Sequence, residues 1–136
     1  GMDSMPFTVE CTKSALGTKL FWSFALKGED AMTAFIEHSF QQARHLYTYL
    51  NSLEDFYCPY PPESNILCFQ FRPDRLSDQD QLALRYELIN SGAFYITSCE
   101  FKGKRFLRTV LMNPDTKQQD FVALANAITK IGDQIQ

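Results

Sequence analysis

Glycine is scarce in this chain, at six residues in 136, and none of the six stands in a Gly-rich phosphate loop or a Gly-x-Ser-x-Gly elbow. Neither P-loop phosphate binding nor an α/β-hydrolase nucleophile therefore has the backbone it needs. Histidine is limited to His38 and His45, with no His-Glu-x-x-His, and Cys11, Cys58, Cys68 and Cys99 are widely spaced, with no Cys-x-x-Cys. That spacing predicts ordinary thiols and no metal site. Positive charge is in deficit, 13 basic residues against 16 acidic ones for a net charge of -3, which excludes the strongly basic surface of a nucleic-acid binder. Apolar runs such as Leu20 to Leu26 fall far short of the roughly 20 residues that span a bilayer, and no leader pattern opens the chain. We expect a soluble, cytoplasmic protein with neither membrane nor nucleic acid as partner.

What is present suffices for one ordinary domain, with 45% hydrophobic and 21% charged residues. Residues 1–13, which lack a period and contain Pro6, read as an extended N-terminal arm, and 14–136 as a single α+β domain. Leu16, Leu20 and Phe24, widened by Phe21, Trp22 and Ala25, predict a helix over about 14–27 that Gly28 stops. Its apolarity nearly all round implies burial on two sides, more than so short a chain covers by itself. A second helix over about 30–52 is capped by Asp30, with Phe35, Ile36, Ser39, Ala43, Leu46 and Leu50 on its apolar stripe and Glu37, Gln41, Gln42 and Arg44 on its polar face.

A short edge strand near Phe56 to Cys58 leads to a strand at about 65–72, whose Leu67, Phe69 and Phe71 share one face and whose two faces both read as largely covered. Ser77 with Asp80 resembles a capping box for a helix over about 78–91, and Thr116 with Gln119 another for a helix over about 116–133. Between them lies a hairpin, 93–101 and 105–112, turning at Gly103. The result is a small, mainly antiparallel sheet packed by helices.

The hairpin carries the basic cluster Lys102, Lys104, Arg105 and Arg108. At the tip, a solvated turn is the ordinary reading of the first three. Arg108 differs because the period of two places it beside Phe106 and Val110, and an arginine on an apolar strand requires an anionic partner. That partner is either a substrate carboxylate or a carboxylate within the fold or across an interface; the structural pair is the commoner arrangement. The histidines have no acid or nucleophile placed by spacing to orient them and read as surface side chains.

The run from Ser14 to Trp22 with Gly28, the run from Asn65 to Pro73, Leu88-Ile89-Asn90 with Gly92, and Leu107-Arg108 leading to Asn113-Pro114-Asp115-Thr116 resemble the C-terminal part of pyridoxal-phosphate-dependent group II amino-acid decarboxylases. The resemblance covers nearly the whole chain in the right order. It implies a small C-terminal domain whose larger neighbour holds the cofactor through a lysine that follows a histidine; here His38 precedes Ser39 and His45 precedes Leu46. Such a chain would be inactive alone, would bind no pyridoxal phosphate covalently, and would pair with the large domain or the second subunit of a dimer through its surplus apolar helix. Within such an enzyme the cofactor acts as an electron sink, and Arg108 is the residue for a carboxylate contact or a domain-interface pair. A second reading comes from the order strand, helix, strand, strand, helix after Asn65. This approaches the ferredoxin-like pattern of a stand-alone regulatory or amino-acid-binding module.

Overall fold

The computed structural model describes residues 16–135, so the expected arm over 1–13 lies outside the described residues. In chain order the elements are α1 (Leu16–Asn51), β1 (Phe56–Tyr57), β2 (Ile66–Phe71), α2 (Asp78–Asn90), β3 (Thr97–Phe101), β4 (Lys104–Val110) and α3 (Gln118–Ile135). Packing divides the chain into two units between Ala34 and Phe35.

The first unit is the N-terminal part of α1. It is interrupted at Gly28, whose φ of 78° and ψ of 169° are not helical and are open to glycine at little cost. The two helices expected over 14–27 and 30–52 part at this residue. Along the segment before it, Leu16, Leu20, Phe21, Trp22 and Leu26 are all more than half exposed.

The second unit is a four-stranded antiparallel sheet in the order β1-β2-β4-β3 with helices packed on it. Leu67, Phe69, Phe71 and Leu107 on the strands lose all contact with water, and so do Leu50, Leu84, Leu88 and Ile128 on the helices; together they form one core. The helical stripe of α1 holds from Ser39 onward, whereas Phe35 and Ile36 are exposed. Gln42, expected on the polar face, is buried instead, because its amide donates to the Thr116 carbonyl at 2.7 Å. α3 begins later than Thr116, capped by the Asp120 carboxylate accepting from the Lys117 N–H at 2.7 Å rather than by Thr116 with Gln119.

The capping box expected at Ser77 and Asp80 is formed. One turn on, Gln81 is wholly buried: its Nε2 donates to the Phe71 carbonyl at 2.6 Å and its Oε1 accepts from the Phe71 N–H at 3.2 Å. A helix side chain thus takes the place of a strand at the end of β2. Gly132 of α3 lies against the Phe71 ring, where any Cβ would collide with it.

The hairpin is shorter than expected at both outer ends. Ile96 is held out of the ladder because its carbonyl accepts from Arg85 Nε at 3.2 Å, so β3 begins at Thr97. Lys102 and Gly103 both have positive φ, 51° and 71°, the two-residue turn that suits the twist of paired strands. Rather than lying wholly at the sheet's centre, the hairpin contributes β4 to the interior and β3 to an edge.

Replacing Gln81 by leucine leaves the Phe71 N–H and carbonyl buried without partners. The expected cost is about 2–4 kcal/mol, read from urea unfolding, whereas Gln79→Ala on the exposed face of the same helix changes stability by less than about 0.5 kcal/mol.

Candidate functional site

The pleat of β4 sends Arg105, Leu107 and Thr109 to the helix side and Lys104, Phe106, Arg108 and Val110 to the other. No helix among the described residues seals this second face as the core is sealed. It holds a cleft of about 520 Å³ whose walls include Tyr60, Ile66, Cys68, Cys99 and Phe106. A recess of about 230 Å³ formed by Tyr95, Ile96, Thr97, Arg108, Val110 and Met112 lies on it as well. Both faces of β2 were expected to be covered; Leu67, Phe69 and Phe71 are, but Ile66 is 39% exposed and Cys68 only half-buried.

Arg108 is half-buried in that recess. Thr97, its register partner on β3, holds it at both ends: the Thr97 hydroxyl accepts from Arg108 Nε at 2.9 Å and contacts the Arg108 carbonyl at 3.2 Å. Among the described residues the ion pairs are Arg72 with Asp55, Arg72 with Asp133 and Arg105 with Glu100, and none involves Arg108. The guanidinium is thus oriented through one nitrogen, with no carboxylate partner from this chain's described residues, and it can take an anion from outside.

Two other basic residues of the hairpin, Lys102 and Arg105, are tied locally. Lys102 sits 5.5 Å above the Tyr60 ring and 5.2 Å above that of Phe101. Arg105 pairs with Glu100 at 3.5 Å, and its backbone N–H donates to Asp78 Oδ1 at 3.0 Å.

Cys68 on β2 and Cys99 on β3 bring their sulfurs to 3.6 Å across the cleft. Burial is the main cause that pushes the Cys68 thiol up to about 11; the hydrogen bond and charge of Cys99 add to it, and Arg108 pulls the other way. Cys58 is buried, which drives its thiol up to about 12. His38 is half-buried, with Nε2 3.2 Å from the Pro114 carbonyl and 3.1 Å from the Gln42 amide, so it clamps the loop before α3; His45 is exposed. Neither histidine is hydrogen-bonded to an acid or a nucleophile.

The residue that sequence reasoning missed is Arg72. At φ 42° it is in the left-handed region, which costs about 1–2 kcal/mol for a residue with a Cβ. It is held there by Asp55 Oδ2 at 2.7 Å and Asp133 Oδ1 at 2.6 Å, with the guanidinium 4.7 Å from the Phe71 ring centre. The only signal in the sequence was its place before Pro73, a position that disfavours helix but does not reveal a partner.

The described lysines, Lys19, Lys27, Lys102, Lys104, Lys117 and Lys130, are all exposed on the surface. None of the described lysines is buried, as a lysine enclosed with pyridoxal phosphate would be. Among the described residues there is also no cluster of three or more metal-ligating side chains and no helix long and apolar enough to cross a membrane.

No protein-family model matches the chain. Solved structures do. Mouse CSAD superposes with a TM-score of 0.79 at 22% identity, covering 96% of this chain and 30% of that one. For the glutamate decarboxylase domain of diaminobutyrate-pyruvate transaminase and L-2,4-diaminobutyrate decarboxylase from Vibrio parahaemolyticus, the TM-score is 0.78 at 20% identity, over 85% of this chain and 25% of that one. Oryza sativa TDC with PLP and tryptamine gives 0.77 at 16% identity, over 98% and 30%. This chain has the fold of a decarboxylase segment. The chain spans 25% to 30% of the length of the solved chains it matches.

The Arg72 arrangement carries a pH dependence. Its hydrogen bond is the main cause that holds the Asp55 carboxyl below the ordinary carboxylate range. A depressed folded-state value contributes stability that is complete above the unfolded value of about 3.9 and is lost as pH falls through the folded value. Because both carboxylates are partly solvated, Arg72→Gln is expected to cost only about 1 kcal/mol at pH 7. In urea titrations from pH 7 down to pH 3, the gap between wild type and variant should be constant above about pH 4 and narrow below it.

Proposed function

We propose that this chain is the C-terminal, small-domain part of a pyridoxal-phosphate-dependent amino-acid decarboxylase. It is non-catalytic alone, and the cofactor and its Schiff-base lysine belong to a large domain outside it. The observation that carries this reading is the match of nearly the whole chain to only a quarter to a third of decarboxylase structures. Arg108 supports it: a half-buried guanidinium oriented by Thr97 and unmatched by any described carboxylate suits a substrate carboxylate or a pair across a domain interface. The exposed apolar face of Leu16, Leu20, Phe21, Trp22 and Leu26 supports a partner too, either the large domain or the second subunit of a cytoplasmic dimer. Left uncovered, that face favours self-association.

A second reading is a stand-alone ferredoxin-like regulatory or amino-acid-binding module. The strand order β1-β2-β4-β3 favours it to one extent: the two-residue β1 occupies the edge beside β2 where the closing strand of that pattern would lie.

Borohydride reduction of the chain mixed with pyridoxal phosphate separates a chain lacking the cofactor site from one that has it. No single lysine should be labelled stoichiometrically by mass spectrometry, and a trapped adduct at one lysine contradicts the proposal. In a complete enzyme containing this segment, Arg108→Lys should lower kcat/KM by about 10- to 100-fold, the loss of a charge-assisted hydrogen bond to the carboxylate. Unchanged kinetics would remove Arg108 from substrate binding.

A further inference from the structure

The thiols of Cys68 and Cys99 meet although their strands do not. β4 lies between β2 and β3, and two strand spacings amount to about 9.6 Å in a flat sheet. The sheet curls over β4 and brings the sulfurs to 3.6 Å. A disulfide joins residues whose Cα atoms are about 4.4–6.8 Å apart, near the spacing of adjacent strands, whereas β4 stands between β2 and β3. An ion bridging the sulfurs makes no such demand. Metal–thiolate bonds are about 2.3 Å long, which allows a sulfur separation of up to about 4.6 Å, within reach of small side-chain rotations from the present geometry.

The surroundings select the ion. Structural zinc requires four ligands, whereas no group of three or more His, Cys, Asp and Glu side chains fit for a metal exists among the described residues. The walls of the cleft are mainly apolar, with Ile66, Phe101 and Phe106 among them, and Glu63 and Glu100 also line it. Two soft donors without a third are suited to a soft monovalent cation of low coordination number. Two thiolates around such a cation carry one net negative charge, and Arg108, directly opposite Cys68 in the β2–β4 register, supplies the balancing positive charge without a carboxylate of its own.

We propose that Cys68 and Cys99 form a two-thiolate binding site for Cu(I) on the open face of the sheet. On binding, each S–H bond breaks, its proton passes to solvent, and each sulfur donates a lone pair to the cation; copper remains Cu(I) and neither sulfur is oxidised. The site does not rest on the decarboxylase reading, although both draw on the charge of Arg108.

The test is an anaerobic titration of the full chain with Cu(I) against a chromophoric Cu(I) chelator. One tightly held equivalent is expected, weakened about 100-fold or more in Cys68→Ser and in Cys99→Ser. On the unmodified chain, bound Cu(I) should protect Cys68 and Cys99 together from iodoacetamide relative to the copper-free chain, as read by mass spectrometry, so the result does not depend on the variants folding. Binding that survives in both serine variants, or protection that misses the pair, overturns the site. Quantitative formation of a Cys68–Cys99 disulfide with oxidised glutathione overturns the spacing argument on which it stands. Because no readout uses decarboxylation, failure here leaves the proposed function untouched.

Discussion

Leu67, Phe69, Phe71 and Leu107 are wholly withdrawn from water on one face of a four-stranded sheet, and the placing of the other groups follows from that burial. A pleated strand that turns alternate side chains into a core must turn the intervening ones away from it. Burying Leu107 therefore sends Phe106 and Arg108 to the opposite face, and burying Leu67 and Phe69 sends Cys68 there as well. The open face is the geometric complement of the core. It brings a cation, two thiols and an apolar cleft together without any loop designed to do so.

The end of β2 shows what holds the sealed face in register. Phe71 is satisfied by Gln81 from α2, its ring packs against Gly132 of α3, and the next residue bridges Asp55 and Asp133. Sheet, loop and helices meet at two consecutive residues, one apolar and one charged. A strained backbone at Arg72 persists there because two carboxylates and an aromatic ring constrain it.

Periodicity made most of this legible. Leu46 and Leu50, Leu84 and Leu88, and Phe121, Leu124 and Ile128 recur at helical spacing, and all lie in the core. Arg108 stood out because it interrupts an apolar strand, and its face was readable from Phe106 and Val110. Gln42, Gln81 and Arg72 were not legible, because each is placed by a backbone carbonyl or carboxylate distant in sequence, to which local pattern is blind. Reading the cysteines one at a time likewise gave ordinary thiols. Only the curl of the sheet brings Cys68 to Cys99, and no local spacing encodes a contact between strands that are not neighbours.

The central claim is that this segment is the small-domain part of a larger enzyme and depends on another domain for a complete site, rather than sensing an amino acid alone. Thermal unfolding of the chain against free amino acids and their amines tests it most directly, since a ligand bound only by the folded state stabilises it by RT ln(1 + [L]/Kd) and so raises Tm progressively with its concentration. The account predicts no concentration-dependent shift with any of them up to millimolar concentration, because Arg108 offers one contact and the described residues add no second anchor. A rise in Tm that grows with the concentration of one amino acid, abolished by Arg108→Gln, would contradict it and favour the regulatory module.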